Sequence, residues 1–376
     1  MSTFNLSFLQ LLSSLLQPAA KPAAADPVFN LDGWLSLDTP PVTPDAVSAP
    51  ATPAPAASQA AGRTYFGGMG RDVLSTGAGN DVLDGGMGND VLDAGAGDNL
   101  VQGGMGDDKL TVGHGHNTVD GGMGNDVIQA GHGRNRLYGG MGNDTITAGN
   151  GGNEVDAGMG NDTVTAGHGD NRVDAGMGND SVTTGNGRDI LTGGMGNDWL
   201  SAGGGQDAYR FDGAFGRDVI DNRDASDSTD RVEFSAGSGI QAQQLWFRRN
   251  GADLVVDAVG TGRAASGSQS NGINGLSFGS GDVFSGNVFG QNGGTLTADT
   301  KTVQREGSIT LRNWYSDPAS QVDLFQDASG RTLQKGQVDG LVSAMAGFGG
   351  VPANLSSLSE SQRQQLDVVI AQSWAA

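Results

Sequence analysis

From Gly67 to Arg210 the chain repeats one nine-residue pattern sixteen times without a gap. Each phrase runs through a glycine-rich polar stretch, then places one apolar residue between two mostly polar or β-branched neighbours. The apolar eighth position is filled in every copy, from Leu74, Leu83, Leu92 and Val101 through Ile128, Ile146 and Val173 to Leu200 and Tyr209. One inward side chain between outward neighbours is the period-two signature of a strand. Glycines at positions two and four permit positive φ and close backbone approach, as a tight turn requires. The pattern therefore predicts one short strand and one turn per phrase, with two phrases making a coil of eighteen residues. Such coils stack as a parallel solenoid with strands ~4.8 Å apart. The core would be a double file of Leu, Ile and Val, too thin to hold the roll by burial alone.

The pattern changes on both sides of the repeats. Residues 1–25 contain the uncharged apolar run Phe4–Leu16, which predicts a short amphipathic helix or arm. It lacks the basic start of a secretory signal, and it is too short and too rich in Ser and Gln for a membrane span. Residues 26–66 hold possible strand segments at Val28–Leu31 and Trp34–Leu37, then the Pro/Ala-rich stretch Pro40–Ala61, read as a semi-extended linker. After the repeats, residues 211–336 alternate apolar and polar positions in Gly216–Asp221, Asp230–Phe234, Gln244–Val256 and Leu311–Tyr315, which predicts antiparallel strands. A Gly/Ser/Asn-rich insertion at about 260–306 interrupts them. It carries Phe278, Phe284 and Phe289, and is read either as a projecting contact loop or as a spacer. Residues 337–376 predict helices, the last from Glu360 to Trp374, with Ser359 and Gln362 at capping-box spacing and Leu366, Val369, Ile370 and Trp374 on one face.

The repeated phrase, G-G-x-G-x-D-x-U-x, resembles the calcium-binding nonapeptide of RTX proteins. Asp218–Phe234 and the strands after it resemble the module that follows such repeats in many bacterial proteins exported by type I systems. The C-terminal helices resemble the uncleaved secretion region of the same family. The fold class expected is all-β: a parallel β-roll of calcium-stacked coils over 67–210, an antiparallel β capping module, and short C-terminal helices. The resemblance implies multiple Ca²⁺ as cofactor. The residues agree, because sixth-position carboxylates and turn carbonyls are hard oxygen donors that suit calcium and not zinc or copper.

Alternate phrases differ, so the two edges of the roll should differ. The odd phrases carry Asp72, Asp90, Asp108, Asp126, Asp144, Asp162, Asp180 and Asp198, an unbroken acidic file expected to bind calcium together with turn glycine carbonyls. The even phrases carry Asp81, then Asn99, Asn117, Asn135, Asn153 and Asn171, then Asp189 and Asp207. Calcium is expected at the three aspartates. The asparagines form a weak or non-binding ladder, since an amide offers one neutral oxygen and no bidentate grip; binding through carbonyls alone stays open.

The third position of the odd phrases is Met every time: Met69, Met87, Met105, Met123, Met141, Met159, Met177 and Met195, eight of the ten methionines. The resemblance places this position outside the turn, in a stripe about 34 Å long at seven ~4.8 Å spacings. Flexible thioethers in a surface row suit a contact surface. Cover by the chain's own terminal segments, or duplication that copied one Met, would give the same row. The four histidines, His114, His116, His132 and His168, all lie on even turns and read as exposed turn residues.

Composition narrows the function. A net charge of −21 argues against nucleic acid and anionic membrane surfaces and fits uptake of many divalent cations. With no cysteine there is neither disulfide nor thiolate chemistry. No H-E-x-x-H occurs, and the one G-x-S-x-G, Gly275–Gly279, lies in the insertion without a strand-to-helix context. The expectation is a non-enzyme, secreted to the exterior or cell surface through a type I exporter. Its main partner would be itself, in a fibre or surface layer. A monomeric adhesin or biofilm-matrix protein is the alternative, and a Thr array that includes Thr145, Thr147, Thr163, Thr165 and Thr183 is too partial to favour ice binding.

Overall fold

A computed structural model describes residues 61–213, 215–224, 228–260 and 305–375. The N-terminal arm, most of the Pro/Ala-rich linker, nearly all of the insertion with its three phenylalanines, and the Gly275–Gly279 motif lie outside the described residues.

The phrases build the parallel part of two twelve-stranded sheets, odd-phrase strands in one and even-phrase strands in the other, and strands beyond Arg210 complete both sheets. The register advances by eighteen residues per rung, as in Leu83↔Val101, Val101↔Val119 and Leu92↔Leu110, Leu110↔Ile128. The stack starts ahead of the first full phrase, because Thr64–Met69 already pairs with Val82–Met87. Eighth-position side chains from both sheets meet in the middle, and Leu83, Leu92, Val101, Leu110, Val119, Ile128, Leu137 and Ile146 are fully buried. First-position alanines such as Ala94, Ala148 and Ala202 fill the remaining space of the double file. Glycine is needed where successive turns touch. Gly122 (φ 105°) and Gly124 (φ 128°) sit in the left-handed region, and a Cβ on either would strike the carbonyl of Gly104 or Gly106 in the coil before.

Parallel stacking continues past Arg210, where the sequence pattern predicts antiparallel strands. Trp199 pairs with Val219 and Tyr209 with Val232, so the coil lengthens by a few residues but keeps its direction. The next rung is made by distant segments, Arg217↔Ser308 and Arg231↔Leu324, both parallel. Antiparallel pairing closes the end: Leu245–Asn250 with Asp253–Val259, that strand with Arg305–Leu311, and Leu324–Gln326 with Thr332–Gln334. Alternation of apolar and polar residues is the same in both directions, so the pattern could not distinguish them.

The core changes from aliphatic to aromatic towards this end. Phe211 packs tilted against Phe215 at 4.8 Å and Phe234 at 5.7 Å, and Phe247 meets Phe325 edge-on at 5.1 Å. Helix α1 (Lys335–Ala346) buries Val338, Leu341 and Met345 here. Helix α2 (Glu360–Ser373) buries Leu366 and Ile370, and Ser359 and Gln362 form the expected capping box.

Candidate cation-binding edges

The sixth-position residue of each phrase leaves its turn and points along the stack into the coil before. On the odd edge one oxygen of every aspartate from Asp90 onward accepts the backbone N–H of the aspartate one coil earlier. The distances are 2.7 Å from Asp72 to Asp90, 2.7 Å from Asp90 to Asp108, 2.8 Å from Asp108 to Asp126 and 2.8 Å from Asp126 to Asp144. The file runs on through Asp162, Asp180 and Asp198 at 2.7–2.8 Å. The second oxygen, Oδ2, is buried and has no hydrogen-bond partner in any of these residues, Asp72 included.

That arrangement cannot hold a bare negative charge cheaply. Burial raises the carboxyl of Asp126 to about 7 and that of Asp180 to about 7, and the aspartates above and below push in the same direction. Asp108 and Asp162 are likewise raised by burial, to about 6, against the opposing pull of one backbone N–H. A row of desolvated, half-satisfied carboxylates at glycine-rich turns has the donor chemistry of a calcium site. Among the described residues no three His, Asp or Glu side chains converge on one point. Side chains alone therefore do not make a ligand set, and turn carbonyls must complete it.

The file is longer than the repeats. Asp218 accepts the N–H of Asp198 at 2.9 Å, is buried, and leaves Oδ2 unpartnered; burial raises its carboxyl to about 8. Sequence reasoning placed Asp218 in the capping module, although Gly216-Arg217-Asp218-Val219-Ile220 keeps the end of the phrase. On the even edge Asp207 is followed by Asp230, which accepts the Asp207 N–H at 3.0 Å. Its other oxygen is satisfied by the Asn222 amide at 3.0 Å, so that end of the file is closed by hydrogen bonds.

The middle of the even edge has a different geometry. The Oδ1 of Asn99 accepts the Asp81 N–H at 2.9 Å, while its Nδ2 donates to the carbonyls of Gly95 at 3.2 Å and Gly97 at 3.1 Å. The same Nδ2 reaches Asn117 Oδ1 at 3.0 Å. Asn117, Asn135, Asn153 and Asn171 repeat this pattern, each donating to a carbonyl of its own turn and to the next side chain in the file. At the ends, Asp81, Asp189 and Asp207 again leave a buried Oδ2 without a partner.

Outer ladders line the turns as well. On the odd edge Asn125, Asn143, Asn161, Asn179 and Asn197 stack so that each Oδ1 accepts both the backbone N–H and the side-chain Nδ2 of the next. This fifth-position ladder escaped the sequence reading, although Asn recurs there in the phrase. The histidines play the same part on the even edge. His114 Nδ1 accepts the His132 N–H at 3.1 Å, with the rings stacked at 4.9 Å, and His116 Nδ1 accepts the Arg134 N–H at 3.1 Å. His132 and His168 each accept an asparagine N–H at 2.9 Å. All four are exposed turn residues.

Every one of the eight third-position methionines is exposed, from 39% at Met123 to 87% at Met69 on the open first coil. They stand in register, Met69↔Met87 through Met177↔Met195, alongside the outer asparagine ladder. The row thus lies on the aspartate edge, not on the asparagine edge.

A family model of the RTX calcium-binding nonapeptide repeat, four copies long, matches residues 66–101, 85–119, 94–128, 120–155, 147–182 and 174–209. Such repeats bind Ca²⁺ at multiple sites, and the stacked carboxylates fit that cation. No curated protein matches the chain. No described helix is long and apolar enough to cross a membrane.

Proposed function

Residues 66–209 are RTX calcium-binding nonapeptide repeats in a β-roll, and on that premise we propose that the protein is a calcium-dependent extracellular structural protein. It leaves the cell unfolded through a type I exporter, folds where calcium is plentiful, and self-assembles into a fibre or surface layer. The observation that carries assembly is the in-register row of eight exposed methionines, Met69 to Met195, on one edge of the stack. Apolar rows of this length on a soluble surface mark interaction sites.

The chain's own residues account for the switch. At neutral pH the ionised aspartates repel one another and favour water over the buried file, while the glycines add chain entropy to the unfolded state. Bound Ca²⁺ supplies the positive charge and oxygen coordination that allow these carboxylates to be buried ionised. Once the odd turns close, their third-position methionines are fixed at one spacing and become a continuous surface. A net charge of −21 and the lack of cysteine suit a chain held unfolded before export. The roles assigned are binding and structural, with the histidines acting as acceptors in the outer ladder and not as catalytic groups.

Negative-stain microscopy of the full chain tests the reading, with millimolar calcium and in parallel with chelator. Ordered fibres or sheets in calcium alone are expected. Isolated folded rods in calcium would contradict self-assembly. They would favour an adhesin or biofilm-matrix protein acting as a monomer on another partner, which the closed C-terminal end of the stack supports by blocking end-to-end growth there.

A further inference from the structure

We infer that the five central turns of the even edge take no cation, because the side-chain amides of Asn99, Asn117, Asn135, Asn153 and Asn171 already fill its seat. Calcium then acts on the methionine-bearing edge and on the aspartate ends of the other edge alone. The inference rests on the reading that the aspartate file binds calcium.

The two edges stack their sixth-position side chains in one direction along the roll. Their turns differ, since second-position glycines such as Gly104 (φ 111°) and Gly122 (φ 105°) are left-handed on the aspartate edge, whereas Gly113, Gly131, Gly149 and Gly167 of the asparagine turns are not. The side chains themselves differ in one atom, oxygen against nitrogen. On the aspartate edge the second side-chain oxygen is buried and unpartnered. On the other edge the equivalent atom is Nδ2, and its hydrogens point where positive charge is wanted. From Asn153 it donates to Gly149 O at 2.9 Å, Gly151 O at 3.2 Å and Asn171 Oδ1 at 3.0 Å. From Asn171 it donates to Gly167 O at 2.9 Å, Gly169 O at 2.8 Å and Asp189 Oδ1 at 3.0 Å.

The orientation of each amide is fixed by its partners. A backbone N–H from the previous coil demands an oxygen on one side, and the glycine carbonyls of the turn, two for every asparagine but Asn117, which has Gly113 O alone, demand a donor on the other. Turning an amide to offer its oxygen to a cation would aim the NH₂ at a backbone N–H and strip these carbonyls of their donor, which costs more than a hydrogen bond gains. Between two asparagines a divalent cation would also meet no carboxylate of the buried file; the neighbouring Asp98 and Asp170 are exposed and accept backbone N–H groups of the next coil. On this edge unpartnered buried carboxylate oxygens occur at Asp81 and again at Asp189 and Asp207, and the five side chains between are amides with their Nδ2 hydrogen-bonded.

A consequence concerns the methionine row. Because it rides on the aspartate turns, calcium sets the surface that carries it, while the central turns of the opposite edge are held by amides without taking up an ion of their own. The asparagines thereby determine which side of the roll responds to the ion.

Two measurements test this. Equilibrium dialysis against calcium compares the full chain with the double substitution Asn117→Asp/Asn135→Asp, which restores adjacent carboxylates. At least one additional bound Ca²⁺ per chain is expected, and an unchanged count in a folded variant would overturn the inference. Anomalous scattering from calcium-loaded crystals of the unaltered protein removes any dependence on that variant folding. Peaks are expected along the aspartate edge and beside Asp81, Asp189 and Asp207. A peak at a central asparagine turn would overturn the inference, whereas no bound calcium anywhere would instead overturn the reading on which it rests.

Discussion

Tyr209 occupies the inward position that Leu, Ile or Val fills in the coils before it, and so carries a hydroxyl into the core. The hydroxyl accepts the Ala202 N–H at 3.2 Å and donates to Asn222 Oδ1 at 2.9 Å; Asn222 in turn holds Asp230. One side chain therefore ties the last regular coil to the lengthened one. Tyr209→Phe keeps the ring but leaves a buried N–H and a buried amide oxygen unpartnered, at an expected cost of about 1–3 kcal/mol. Chemical denaturation in calcium measures it, and an unchanged midpoint would show that the hydroxyl holds nothing. At this scale the sequence was legible where spacing was regular. The aspartates and inward apolar residues could be read by counting nine. Asp218 and Asp230 could not, because coils of twenty and twenty-three residues break the count while the stack continues across them. Which way each asparagine amide points was equally invisible, since it depends on partners eighteen residues away.

At the scale of the elements, the aspartate edge makes stability depend on pH in opposite senses with and without the ion. Burial raises Asp126 and Asp180 to about 7 and Asp218 to about 8, above the ordinary aspartate value of 3.8. In chelator such groups favour the folded roll fully below pH 3.8, and this contribution is lost as pH rises through 7 to 8. With calcium the ionised form is the one bound, so acidification competes with the cation and destabilises the roll. Strand content followed by circular dichroism should rise in chelator between pH 8 and pH 5, and fall in calcium towards the acid end. Parallel slopes in the two conditions would contradict burial of the file. The strands were readable from alternation, but the direction of those after Arg210 was not. Pairing across ninety-one residues, as in Arg217↔Ser308, leaves no local mark.

The described residues from 61 onward form a stack closed at one end by antiparallel strands, aromatic side chains and two helices. The repeats hold few large side chains, and aromatic residues make up 6% of the chain. Burial is concentrated in the double file and in the closing aromatic cluster, so the long middle of the roll depends on its edges. One edge is fastened by amides and the other carries unpartnered carboxylates, which makes calcium the deciding term in whether the roll forms. Far-UV circular dichroism of the full chain at neutral pH, titrated from chelator into millimolar calcium, tests this most directly. A cooperative gain of strand signal that chelator reverses is the predicted result. A spectrum already at full strand content in chelator, and unmoved by calcium, would contradict the account.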